Sequence, residues 1–134
     1  FLLYEIQKIL PEIEIHGFDV SKYAIRNSKK EIKPFLFNAR AENGLNYNKL
    51  YFDLTICTGV LHNFTLINIS KTLKEISRVS KNSFVMVESF RNDKELFNLQ
   101  CWALTCQTFL KPDEWKWLFK INKYKGDFEF IYFE

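Results

Sequence analysis

Ile13-Glu14-Ile15-His16-Gly17-Phe18-Asp19, followed by Ser21 and then Tyr23-Ala24-Ile25, is the stretch on which the fold turns. It alternates like a half-buried strand and ends at an acid. Ser21 is of the residue type that caps a helix, and the helix it would open carries Tyr23, Ala24, Ile25 and Ser28. Upstream, Leu2, Leu3, Ile6, Ile9 and Leu10 recur at helical spacing until Pro11 stops them. Downstream, Pro34-Phe35-Leu36-Phe37 reads as a short apolar strand, and Asn43, Gly44, Asn46 and Asn48 mark a loop. Phe52 to Leu61 reads as a second strong strand that ends near Gly59. A helix over 66–80 follows, with Ile69, Leu73, Ile76 and Val79 on one face. The continuous apolar run Phe84-Val85-Met86-Val87, inside 83–89, suits a parallel strand buried on both faces.

Asn92 with Glu95 predicts a capping box opening a helix whose face holds Leu96, Leu99, Ala103 and Cys106. Pro112 fits a first helical position, Asp113 and Glu114 complement the helix dipole, and Trp115, Leu118 and Phe119 form the apolar face. Gly126-Asp127 turns the chain into a last strand in which Phe128, Phe130 and Tyr132 alternate with Glu129, Ile131 and Phe133. The order α-β-α-β-β-α-β-α-α-β predicts an α/β fold with a mostly parallel sheet and flanking helices.

Composition narrows the function. The 134 residues are enough for one domain or most of one. No apolar run approaches the ~20 residues a bilayer span needs. The opening residues read as an amphipathic helix with Glu5 and Lys8, not as a secretory leader. The net charge of +3 is scattered rather than striped, which argues against a nucleic-acid surface. Three cysteines, Cys57, Cys101 and Cys106, contain no CxxC pair and suggest neither a zinc site nor a disulfide framework. The expected compartment is the reducing cytoplasm. No metal site, nucleic-acid partner or membrane partner is expected, and the oligomeric state is left open.

Ligands of open α/β sheets bind beyond the carboxyl ends of the strands. Asp19, the loop from Arg40 to Gly44, Thr58 to Asn63, and Glu88 to Arg91 therefore carry the chemistry. An acid in the position of Asp19 accepts both hydroxyl hydrogens of a ribose, or simply caps the strand–helix turn. Such a ribose-binding acid sits about 20 residues after a glycine-rich phosphate or cofactor turn. That count falls just before Phe1, so the expectation is a chain that begins inside a longer reading frame.

Ile15 to Ser21 with Tyr23-Ala24-Ile25 resembles the second-strand motif of class I S-adenosylmethionine-dependent methyltransferases. Ala41-Glu42-Asn43, Phe52 to His62, and the helix Leu73 to Val79 resemble that family in order and spacing. The resemblance covers about residues 1 to 90. The last 40 or so residues, with Cys101-Trp102, Pro112 to Trp115 and Gly126 to Phe128, resemble a subfamily signature. It implies a single, partial methyltransferase domain over 1–134: a Rossmann-like sheet lacking its first strand and glycine-rich GxGxG loop. Without that central strand, the remaining strands are expected to leave a gap or to close up differently, and the chain as it stands to bind cofactor weakly or not at all.

The resemblance further implies S-adenosylmethionine as cofactor and a small-molecule methyl acceptor. Asp19 would hold the ribose hydroxyls, Val20 the adenine face, Ala41 and Glu42 the adenine edge, and Thr58 and Gly59 the methionine part. Arg40 stands where many relatives have Asp, so Glu42 is expected to take over the amine contact. His62 is the candidate catalytic base, against the plainer reading of a loop hydrogen bond. Glu88 is a candidate for binding a substrate hydroxyl or amine, and Arg91 for binding a carboxylate or phosphate. Two other readings stay open: a nicotinamide-dependent Rossmann oxidoreductase, which would also use an acid like Asp19, and an inactive domain serving as an interaction module.

Overall fold

The computed structural model describes all 134 residues. The chain divides into two compact units, Phe1–Arg40 and Ala41–Glu134. Its element order is the one read from the sequence: five helices and five strands, with three 3-10 turns between them. No helix is long and apolar enough to cross a membrane.

The first unit contains α1 (Leu2–Ile9), β1 (Gly17–Asp19), α2 (Lys22–Arg26) and β2 (Leu36–Asn38). The two strands run parallel, with Gly17 opposite Leu36 and Asp19 opposite Asn38. β1 is shorter than the alternating run that predicts it, because a ladder extends only as far as its partner and β2 is three residues long. β2 itself starts two residues later than expected. Pro34 has no N–H to give a ladder, and it lies in the 3-10 turn Lys33–Phe35. Ser21 caps α2 as predicted, its hydroxyl accepting the Ala24 N–H at 3.1 Å. The Asn38 amide fixes the end of β1 by donating to the carbonyls of Asp19 and Val20, each at 2.9 Å.

The second unit contains β3 (Phe52–Thr58), α3 (Leu66–Val79), β4 (Ser80–Glu88), α4 (Asp93–Trp102), α5 (Pro112–Ile121) and β5 (Asp127–Ile131). Its sheet has the order β3-β4-β5, and both pairings are parallel. β4 begins three residues before the predicted start. Ser80 is already extended at the end of α3, and its hydroxyl donates back to the Ile76 carbonyl at 2.6 Å, so helix passes into strand without a loop. Ile69, Leu73 and Ile76 of α3 meet Val85 and Val87 of β4 and Trp115, Leu118 and Phe119 of α5 in one apolar cluster.

The N-terminus of α4 corrects one expectation. Asn92 accepts the Glu95 N–H at 3.0 Å, but the Glu95 carboxylate accepts from the Arg91 N–H, at 2.7 Å, instead of from Asn92. The helix also ends at Trp102, so Cys106 lies beyond it. Cys106 still packs against Leu99 and Ala103 in a second, smaller cluster.

Gly126 makes the entry to β5 possible. A Cβ there would collide with the Ser83 hydroxyl, the Ser83 carbonyl and the Tyr124 hydroxyl. Tyr124 in turn donates its O–H to the Asp127 carbonyl at 3.1 Å. Gly126→Ala is expected to destabilise the protein by about 1–3 kcal/mol, the usual cost of overpacking. Urea denaturation checks this; an unchanged midpoint would mean that the turn relaxes freely.

Candidate active site

The carboxyl ends of β3 and β4 converge on a buried pair of ionisable side chains. Thr58, the last residue of β3, lies opposite Met86, and β4 continues to Glu88. Gly59 redirects the chain at once. Its N–H donates to the Met86 carbonyl at 3.1 Å and its φ is +66°, a conformation that glycine adopts without cost. A Cβ on Gly59 would touch Glu88 Oε1 at 3.4 Å. The 3-10 turn Leu61–Asn63 follows. Fully buried Leu61 anchors this turn in the main core, and that carries His62 inward, to 3% exposure.

His62 Nδ1 meets the Glu88 carboxylate, and the two side chains are 4% and 1% exposed. The contact is not a well-formed hydrogen bond: His62 Nδ1 and Glu88 Oε2 are both buried without a hydrogen-bond partner, an arrangement that costs stability. Backbone contacts hold both residues. The His62 carbonyl accepts the N–H groups of Gln107 and Thr108 at 2.9 and 3.1 Å, and the Trp115 indole donates to the Glu88 carbonyl at 3.2 Å. Asn63 ties the turn to its surroundings, accepting the Thr105 hydroxyl at 2.6 Å. The outer neighbour is Trp102, whose ring centre lies 6.1 Å from the imidazole and 4.7 Å from the Phe133 ring. At 56% exposure this indole forms an open apolar surface beside the pair.

Two thiols feel the same carboxylate. Burial first, and then the negative charge of Glu88, push the Cys57 thiol up to about 12. Burial raises Cys106 as well; backbone hydrogen bonding with Thr108 opposes this, and the charge of Glu88 adds to it. Thiolate, not thiol, is the nucleophile. At pH 8, iodoacetamide is therefore expected to modify exposed Cys101 while leaving Cys57 intact in the folded protein. Peptide mass spectrometry reads this directly; equal labelling of the two would contradict the burial of Cys57.

The other predicted residues are placed as follows. In the first unit, Asp19 and Val20 are exposed at the end of β1. One oxygen of Asp19 accepts the Ser21 N–H at 2.7 Å, so the turn-capping role is real and uses one of the carboxylate's acceptor positions. In the second unit, Ala41 is buried and Glu42 half-buried in the 3-10 turn Ala41–Asn43, which packs on α3. Thr58 and Gly59 are half-buried at the strand end.

The Glu88 carboxylate is turned inward to His62. Arg91 is engaged within the protein. Its guanidinium serves Glu95 and Glu134 and lies 4.2 Å from the centre of the Tyr132 ring, where it ties the start of α4 to the end of the chain. Trp115 is core, whereas Trp117 is exposed.

Sequence reasoning passed over the clamp that fixes the loop after Asn43. Glu75 Oε1 accepts the Leu45 N–H at 2.6 Å, and Arg78 donates to the Leu45 and Tyr47 carbonyls at 2.9 and 2.8 Å. The signal was present: Glu75 and Arg78 form an i,i+3 charge pair on α3, and the hydrogen bond from Arg78 holds the Glu75 carboxyl below its ordinary value. A cavity of about 260 Å³ lies at the opposite, amino end of the sheet, among Ser80, Ser83, Lys123 and Lys125, away from the His62–Glu88 pair.

A family model for a methyltransferase domain matches residues 1–124. None of the curated proteins and none of the solved structures compared with the chain matches it.

Proposed function

The chain belongs to the methyltransferase-domain family, an enzyme family of the methyl-transferring class, and from that premise we propose that it methylates a small molecule at the expense of S-adenosylmethionine. The observation that carries this reading is the match over residues 1–124 together with Asp19, which stands exposed at the carboxyl end of parallel β1.

Within the first unit, Asp19 and Val20 have the chemistry that a ribose diol and an adenine face call for. A carboxylate has about four acceptor positions. Asp19 spends one on Ser21, which leaves room for two ribose hydroxyls. Val20, 49% exposed, offers a bare apolar side chain of the kind an adenine face packs on. Glu42 and Ala41 are assigned the adenine edge. Gly59, with its positive φ and missing Cβ, and Thr58 before it are assigned the methionine part through backbone groups. When bound, S-adenosylmethionine supplies a methyl group already activated by its sulfonium. The chain's own task is then to hold the acceptor in line and to exclude water, and positioning of this kind supplies much of a rate enhancement. Where the acceptor carries a proton, His62 is the base. Cysteine usage without paired spacing supports a reducing, cytoplasmic setting.

The nicotinamide reading uses the same acid and is separated by thermal shift. S-adenosylhomocysteine at a hundred times its Kd is expected to stabilise the protein at its full natural length by about 2.7 kcal/mol, and NAD or NADP not at all. Stabilisation by a nicotinamide dinucleotide alone would reverse the assignment. Stabilisation by neither ligand would favour an interaction module.

A further inference from the structure

We propose that the cavity at the amino end of the β3-β4-β5 sheet binds a phosphate group, held by the ammonium groups of Lys123, Lys125 and Lys81. The site lies away from the carboxyl end where methyl transfer is placed, and it does not depend on that reading.

The topology makes the cavity. β4 starts at Ser80, but its pairing with β5 starts only at Phe84, opposite Asp127. Ser80 to Ser83 therefore overhang β5, and the cavity of about 260 Å³ lies between this overhang and the chain from Lys123 to Asp127. Sites for drug-sized molecules run to roughly 300–1,000 Å³, so this space suits a small anion or the phosphate end of a larger molecule.

The lining is polar and positive. Leu50 is its only large apolar residue, and three lysines stand against one acid, Asp127. Tyr124, buried in the main core, anchors the segment that carries Lys123 and Lys125 on either side of it. Neither of these lysine side chains enters a hydrogen bond or ion pair within the chain. Lys81 does have a partner, Asp53 at 2.7 Å. With the two side chains 55% and 88% exposed, that is a surface bridge of little worth, and an anion in the cavity can draw the lysine from it. Ser77 and Ser80 already donate their hydroxyls to the carbonyls of Leu73 and Ile76, so the lysines are the principal donors left. Lysine is a compact point charge that binds phosphate, and a phosphate group at neutral pH carries close to two charges for them to meet.

Backbone strain marks the same place. Leu50 and Lys123 are the only non-glycine residues with positive φ, +57° and +54°, and both line the cavity. Lys123 directly follows the C-cap of α5, a position that glycine takes without cost. A long side chain kept there against that cost is accounted for by a use for its ammonium group.

Backbone-amide NMR of the protein at full natural length, titrated with inorganic phosphate at an ionic strength held constant with sodium chloride, tests the site. The expected result is saturable shifts from Ser80 to Ser83 and from Lys123 to Asp127. Lys125→Gln is expected to weaken binding about tenfold or more, the effect of losing one hydrogen bond to a charged group. Lys123→Gly is expected to weaken it as much while keeping or raising the urea midpoint, because the left-handed turn suits glycine; that combination assigns binding to the side chain and not to the turn. Glycerol phosphate, titrated in parallel, separates the sources of the ligand. Affinity equal to or above that of inorganic phosphate means a site for a phosphorylated organic molecule, and lower affinity means a site for the free anion. Absence of saturable shifts in these two segments overturns the proposal, as do shifts that sodium chloride alone reproduces. Undiminished phosphate affinity in a protein carrying both substitutions also overturns it.

Discussion

Trp115→Ala is expected to remove about 3–5 kcal/mol of unfolding free energy, the range for truncating a large buried aromatic side chain. Trp115 is completely buried on α5, amid the cluster that joins α3, α5 and the sheet. Its ring stacks on Phe119 with centres 5.8 Å apart, and its indole N–H satisfies the Glu88 carbonyl. Truncation therefore opens a cavity and leaves a buried acceptor unpaired, and the two costs act together. Set against the 5–15 kcal/mol typical of a whole domain, the loss is severe. Trp115→Phe keeps most of the packing and drops the donor, so it is expected to cost much less. Urea denaturation of both variants, with an unchanged slope, measures the difference. A Trp115→Ala protein within about 1 kcal/mol of the wild type would show that this core collapses around the gap.

Trp115 also shows what the sequence makes legible. Its spacing with Leu118 and Phe119 placed it on a buried helix face, because helical periodicity is a local property of the chain. The same local signals located all ten regular elements. They erred at element ends, where the decisive partner lies far away in sequence. β1 is cut to Gly17–Asp19 by the shortness of β2, and β4 is extended back to Ser80 by a helix that closes on its own serine.

The candidate site divides in the same way. His62 and Glu88 were each singled out from their positions after strands, but their mutual contact joins residues 26 positions apart and no spacing rule announces it. Arg91 was singled out as a cation near a strand end, and the structure adds its two carboxylate partners. Glu95 is a helical neighbour that could have been anticipated; Glu134, from the far end of the chain, could not.

Asp19→Ala is expected to weaken S-adenosylhomocysteine binding by about 100-fold or more. Hydrogen bonds to a charged group contribute roughly 1.5–3 kcal/mol each, and a ribose diol offers two. Each 1.4 kcal/mol is about tenfold in affinity, so loss of both reaches that range. The exposed carboxylate accepts a local hydrogen bond from the Ser21 N–H, so the fold is expected to survive the change. Asp19→Asn provides the control. It retains an oxygen for the Ser21 N–H and loses the charge and one acceptor, and its affinity is expected to fall between those of wild type and Asp19→Ala.

The most direct test of the account is calorimetric titration of S-adenosylhomocysteine into the protein at its full natural length, wild type beside Asp19→Ala. The account predicts saturable one-site binding by the wild type and its near loss in the variant. Absence of binding by a folded wild type would contradict it, as would equal affinity in the two proteins.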